Sequence, residues 1–152
     1  MNPHIELLQE TTKILGSKNW VEISHETPFG FHEIAEPTRK NISVTDFLNN
    51  PTSVDTDFYD TCVLHILLGC GVGIDIVKEV IKKSLDVFST VIVLEHDRTS
   101  SDWNTDAIRK DHYIDNCFSA GDFLLLALNN DWNCSRVLHM SNKRNMIVEI
   151  SK

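Results

Sequence analysis

The chain has 152 residues, 41% hydrophobic and 24% charged, with 14 Lys plus Arg against 22 Asp plus Glu and a formal net charge of −8. At that length one domain buries roughly 68–70% of its unfolded surface, so a core can form without disulfide or metal staples. No stretch approaches the ~20 consecutive apolar residues of a membrane-spanning helix, and Met1-Asn2-Pro3-His4-Ile5-Glu6 has neither the basic nor the apolar part of a secretion signal. The expectation is a single cytoplasmic domain covering residues 1–152.

Charge and cysteine usage narrow the partners. Duplex binding by counterion release needs clustered cations, and the small basic clusters are Arg39-Lys40, Lys82-Lys83 and Lys143-Arg144. Nucleic acid is therefore not an expected partner. Cys62, Cys70, Cys117 and Cys134 form no CxxC or zinc spacing. Cys62 and Cys70 lie in an apolar run and read as buried thiols of a reducing compartment.

In chain order, HIELLQETTKIL over 4–15 places Ile5, Leu8, Ile14 and Leu15 at helical spacing, with Gly16 as the stop. Trp20 to Ile23 reads as a short strand. Ser24 to Lys40 contains Pro28, Gly30 and Pro37 and reads as a loop. Asn41 to Asp46 alternates and ends in an acid, as a strand reaching a binding edge would, and Asn49-Asn50-Pro51 breaks the chain. Asp60 to Leu68 is apolar and β-branched enough for a buried strand.

The clearest amphipathic helix runs from Ile74 to Leu85, with Ile74, Val77, Ile81 and Leu85 on one face and Lys78, Lys82 and Lys83 on the other. Thr90 to Leu94 is the cleanest strand, closed by Glu95-His96-Asp97-Arg98. Residues 99–117 are polar and leave room for one short helix. Ser119 caps a helix through Leu128, and residues 132–140 and 145–150 read as a hairpin. Alternation of strands and helices predicts an α/β, mostly parallel sheet that ends in an antiparallel pair.

On these residues the chain resembles a known family. NISVTDFLNNPTSVDTDFYDTCVLHILLG is similar to the middle of class I S-adenosylmethionine-dependent methyltransferases, where one strand ends in an acid near the cofactor's adenine and an Asp-led strand follows. The matching residues are Asp46-Phe47 and Tyr59-Asp60-Thr61-Cys62-Val63-Leu64-His65. IVKEVIKKSL followed by STVIVLEHDR is similar to the family's next helix and strand. The last 33 residues from Ala120 resemble its final helix and antiparallel strands. The resemblance spans residues 41–152 and implies a Rossmann-like sheet of truncated methyltransferase type.

The family's first strand is followed by a Gly-rich turn that holds the cofactor, because Gly lets backbone approach a ligand and the next helix offers free N–H groups. Residues 1–40 must supply strand 1, its turn, a helix and strand 2, yet WVEISHETPFGFHEI carries only Gly30 and no GxG. The front portion thus reads as shortened, and S-adenosylmethionine binding is expected to be weak or absent. Gly69-Cys70-Gly71-Val72-Gly73 does spell GxGxG after a strand and before a helix. It reads either as a cofactor loop, with Glu95 as the ribose-binding acid, or as a plain strand-to-helix connection. Against the first reading, Leu67 stands where an acid is expected, and 57 residues after Glu95 are too few for the remaining elements.

The resemblance makes Asp46 and Phe47, with Gly69, Gly71 and Gly73, the candidate cofactor-binding residues. Glu95, His96 and Asp97 fall on the substrate side, and His96 could act as a base. The catalytic residues are not assigned. Glu22, His25, Glu26, His32 and Glu33 match no metal-ligand spacing, so no metal is expected, and no GxSxG elbow is present. Phe123, Leu124, Leu125, Leu126 and Leu128 make a helix apolar almost all round, which is normally buried between layers. If one side stays uncovered, that surface is an interface for a second copy or a protein partner. The function expected is that of an accessory or interaction subunit, and the alternative is an active small methyltransferase.

Overall fold

The computed structural model describes residues 3–16, 19–25 and 39–152. Its helices are α1 (Pro3–Leu15), α2 (Val44–Asn49), α3 (Ile74–Val87), α4 (Asp106–Asp111) and α5 (Ala120–Asn129). Its strands are β1 (Trp20–Ser24), β2 (Arg39–Ser43), β3 (Thr61–His65), β4 (Thr90–His96), β5 (Asn133–His139) and β6 (Asn145–Ser151). They form one six-stranded sheet in the order β2-β1-β3-β4-β6-β5. The first four of these are mutually parallel. β6 runs antiparallel to both β4 and β5. This is the expected α/β sheet with its terminal hairpin.

Side chains alternate across the pleat, so each strand feeds two cores. Val21, Ile23, Cys62, Leu64, Val91, Val93, Val148 and Ile150 face one way, against Phe47 of α2, Val77, Val80, Ile81 and Leu85 of α3, and Phe123 of α5. Trp20, Val63, Ile92, Leu94 and Ile147 face the other way and pack with Leu7, Leu8 and Leu15 of α1. Both faces of β1 and β3 are covered, and each of their residues is buried. α1 is pinned at its far side: the Glu10 carboxylate accepts the Ser141 N–H at 2.9 Å and the Ser141 hydroxyl at 2.8 Å. Among the described residues, no helix is long and apolar enough to cross a membrane.

Four elements differ from the sequence reading. β2 begins at Arg39 and stops at Ser43 instead of running to Asp46. The reason is local: Ser43 caps α2 by accepting the Asp46 N–H at 3.1 Å, and a helix cap ends a strand. β3 stops at His65 because Ile66 takes φ +47°, a left-handed conformation that no strand continues through. β4 runs through Glu95 and His96 instead of closing at Leu94, because β6 stays paired as far as His96↔Asn145.

α5 is the fourth case. It starts as expected, with a reciprocal cap between Ser119 and Asp122, but it is not sandwiched between layers. Phe123 and Ala127 are buried, while Leu124, Leu125 and Leu128 are 47%, 57% and 70% exposed.

Because Leu8 is 1% exposed in the core under α1, Leu8→Ala is expected to lower unfolding free energy by about 2–5 kcal/mol in urea denaturation. Leu128→Ser should change it by less than about 0.5 kcal/mol, as at other open surface positions.

Candidate functional site at the carboxyl edge of the sheet

In an open parallel sheet, ligands collect outside the carboxyl ends of the strands where the connections switch direction. From β1 the chain passes to β2 on one side and then to β3 on the other, so the switch lies between the ends of β1 and β3. Two polar constructions stand near it.

The first is on β1 and β2. Glu22 and Ser24 are 3% and 0% exposed, and Asn41 Nδ2 donates to Glu22 Oε1 at 2.6 Å and to Ser24 Oγ at 3.1 Å. The parallel register that sets Glu22 beside Asn41 explains the pairing. Glu22 entered the sequence reading only as a member of a metal cluster. Its place in the middle of a buried strand was the better signal, since a buried carboxylate needs donors. His25 is described, whereas Glu26, Gly30, His32 and Glu33 lie outside the described residues. Among the described residues, no His, Cys, Asp and Glu group is arranged to hold a metal.

The second construction is the turn from β3 to α3. The Glu95 carboxylate, 1% exposed, accepts the N–H groups of Leu68 at 2.9 Å, Gly69 at 3.0 Å and His96 at 2.9 Å. Burial pushes the Glu95 carboxyl up to about 7, and these N–H donors pull against that rise. The neighbouring Cys70 thiol is pushed up to about 12, first by burial and then by the Glu95 charge. Cys117, whose Sγ lies 3.9 Å from Glu95 Oε1, is raised for the same two reasons.

Four further N–H groups of the turn donate to its own chain. Ile66 N–H bonds Leu94 O at 2.7 Å, Cys70 N–H bonds Leu67 O at 3.2 Å, Gly71 N–H bonds Leu68 O at 3.0 Å and Val72 N–H bonds Leu67 O at 3.0 Å. Asn116 Nδ2 closes the set by donating to the Leu68 and Val72 carbonyls, both at 3.0 Å.

The turn's glycines are seats for side chains. A Cβ on Gly69 would stand 2.6 Å from Ile66 Cγ2 and 2.7 Å from His96 Nε2. Gly71 has φ +87°, and a Cβ there would stand 3.0 Å from the Tyr113 ring. Gly73, the residue before α3, has open space around its Cα. Gly69 and Gly71, assigned from the sequence to a cofactor, thus meet Glu95, His96 and Tyr113 of the same chain.

His96, 6% exposed, is oriented by Asn145. Asn145 Oδ1 accepts from Asn142 at 2.8 Å, which turns its Nδ2 toward Glu95 O at 3.4 Å and His96 Nδ1 at 2.9 Å. That bond makes Nδ1 an acceptor and leaves the ring proton on Nε2, over Gly69. The ring packs tilted against Trp103 and edge-on against His112 at centroid distances of 4.9 and 5.3 Å. Asp97 lies beside this cluster. Burial works against its ionisation, but the Thr99 hydroxyl and N–H, with His139, outweigh it and hold the carboxyl below its usual value. His139 Nε2 reaches Asp97 Oδ2 at 3.0 Å.

Asp46 and Phe47 follow the carboxyl end of β2, which lies level with the end of β1. Asp46 is exposed in the first turn of α2, where an acid suits the positive end of a helix. Phe47 is 0% exposed in the larger core and offers no open ring face. Asn145, Trp103, His112, His139, Tyr113 and Asn116 escaped the sequence reading. Each is placed by strand register or loop packing that no local pattern encodes.

No family model matches the chain, and no curated protein matches its sequence. Solved structures do match its fold. The methyltransferase domain of bacterial CtHen1-CN aligns over 98% of this chain and 97% of its own, with a TM-score of 0.58 and 9% identity. The mitomycin 7-O-methyltransferase MmcR gives a TM-score of 0.61 at 12% identity over 95% of this chain, which spans about half of it, 53%. The plantazolicin methyltransferase BpumL, solved with SAH, gives 0.60 at 11% identity, covering 97% of this chain and 72% of that one. The chain has the Rossmann-like fold of class I S-adenosylmethionine-dependent methyltransferases.

The clamp has a pH signature. The folded Glu95 carboxyl lies near 7, above its ordinary value of 4.5, so the folded state holds this proton more tightly than the unfolded state. The resulting stability is full below about pH 4.5 and is lost as pH rises through about 7. Glu95→Gln is expected to flatten that part of the stability–pH curve measured by urea unfolding, while the contribution of Asp97, of opposite sign and at lower pH, remains.

Proposed function

We propose that this chain is a methyltransferase-fold domain that binds S-adenosylmethionine weakly or not at all and works as an accessory, interacting subunit. The observation that supports the reading is that the chain's GxGxG turn, between β3 and α3, is closed by its own residues; the connection after β1, where the family places its cofactor turn, lies outside the described residues. The N–H groups of Ile66, Leu68, Gly69, Cys70, Gly71 and Val72 all have acceptors within the chain. A glycine turn binds a ligand through unpaired N–H groups and the space left by a missing Cβ. Here Glu95 takes the Leu68 and Gly69 donors, and the His96 and Tyr113 rings take the space at Gly69 and Gly71, while Gly73 stays open. Phe47 is sealed in the core and offers no open ring face, while Asp46 is exposed on α2.

The interaction half of the reading draws support from α5, where Leu124, Leu125 and Leu128 stand open together. Contiguous apolar surface on a folded domain marks a place where something docks.

The alternative, an active small methyltransferase, is favoured by Glu22, a buried carboxylate in β1, one of the two strands that flank the switch. Calorimetric titration of the whole chain with S-adenosylmethionine separates the two. The proposal expects no saturable heat up to about 1 mM, the concentration matching roughly −4 kcal/mol of binding. Submillimolar affinity that disappears in Glu22→Ala would overturn the loss of donor binding and leave the alternative as the better reading.

A further inference from the structure

Among the described residues, one cavity adjoins the glycine turn without being part of it. Its volume is about 490 Å³, and Asp106, Arg109, Lys110, Tyr113, Asp115 and Asn116 line it. That volume lies within the ~300–1,000 Å³ typical of small-molecule sites, and its position at the carboxyl edge of the sheet is where α/β folds place ligands.

The walls are fixed from behind. Asn116 is tied to the turn through the Leu68 and Val72 carbonyls. Arg109 is held by Asp115 Oδ1 at 2.7 Å and by the Trp103 carbonyl at 3.4 Å. Tyr113 adopts φ +51°, rare for a bulky residue, and lays its ring across Gly71. At 52% exposure it keeps aromatic surface open to the cavity.

The charges are the informative part. Arg109 and Asp115 neutralise each other. Asp106 and Lys110 sit one turn apart on α4, yet neither is in an ion pair among the described residues, and the Tyr113 hydroxyl has no hydrogen-bond partner there. The cavity therefore presents one aromatic face, one uncommitted ammonium and one uncommitted carboxylate. A simple aromatic anion would meet Asp106, and a simple aromatic cation would meet Lys110. A ligand bearing both charges satisfies both walls.

We propose that this cavity binds a small aromatic zwitterion, a free aromatic amino acid or a derivative that keeps its α-ammonium and α-carboxylate. The ring stacks on Tyr113, the carboxylate pairs with Lys110 and the ammonium with Asp106. The site shares no side chain with Glu22 or Glu95, so it stands whether or not a methyl donor binds.

The test is isothermal titration of the full chain with L-tryptophan, tryptamine and indole-3-propionate, which differ only in the two charges. Saturable binding of L-tryptophan is expected, with each singly charged analogue about tenfold weaker or more. Tyr113→Ala and the surface variant Lys110→Ala should each weaken L-tryptophan by a similar factor while thermal unfolding stays unchanged. Should Tyr113→Ala fail to fold, Lys110→Ala decides alone. Equal affinity for the three probes, an unaffected Lys110→Ala, or no saturation by about 10 mM L-tryptophan would overturn the site.

Discussion

A single buried carboxylate organises the ligand-facing edge of this molecule. Glu95 lies at the end of β4, away from solvent, and a carboxyl group in such a place needs donors to its oxygens. It finds them in the turn that leaves the neighbouring strand β3 and in the next backbone amide of its own strand. Once those bonds form, the turn must curl toward β4, Ile66 is held left-handed, and the residue beneath the His96 ring can only be glycine. Asn116 and Tyr113 then close the far side. The turn is held by this carboxyl, the imidazole by Asn145 and the aromatic wall by the left-handed backbone of Tyr113.

The same constraint divides fold from function. The sheet order, the terminal hairpin and the helices on both faces match methyltransferase domains of very different sequence, so the architecture tolerates nearly complete replacement of side chains. A donor site is less tolerant, because it needs unsatisfied backbone N–H groups held open toward a ligand. In this chain the Glu95 carboxyl accepts the Leu68 and Gly69 N–H groups of the β3–α3 turn. Near β1 a different polar set, Glu22 with Asn41 and Ser24, is held together by side-chain hydrogen bonds.

The sequence carried most of the fold because the fold rests on local signals. The Ile74, Val77, Ile81 and Leu85 spacing of α3, the Ser119 cap of α5 and the unbroken Thr90–Leu94 run each specify an element without help from elsewhere. Strand ends were harder to read. Whether β4 stops at Leu94 or His96 depends on β6 lying alongside, and whether β2 reaches Asp46 depends on a serine cap competing with strand pairing. The site was legible only in fragments. Glu95, His96 and the Gly69–Gly73 turn each stood out, but they belonged to two separate readings, and only the β3–β4 register joins them. Asn145, Tyr113 and Asn116 left no trace, since ordinary polar residues in polar segments gain meaning from what the tertiary fold sets opposite them.

Backbone amide hydrogen exchange at Leu68, Gly69 and His96, followed residue by residue by NMR, tests this account most directly, because exchange reports whether an N–H is held in the native state. Protection at these three amides comparable to that of the β3 and β4 core is the predicted result. Exchange at Leu68 and Gly69 as fast as in open loops would contradict it, for the turn would then be free to cradle something other than Glu95.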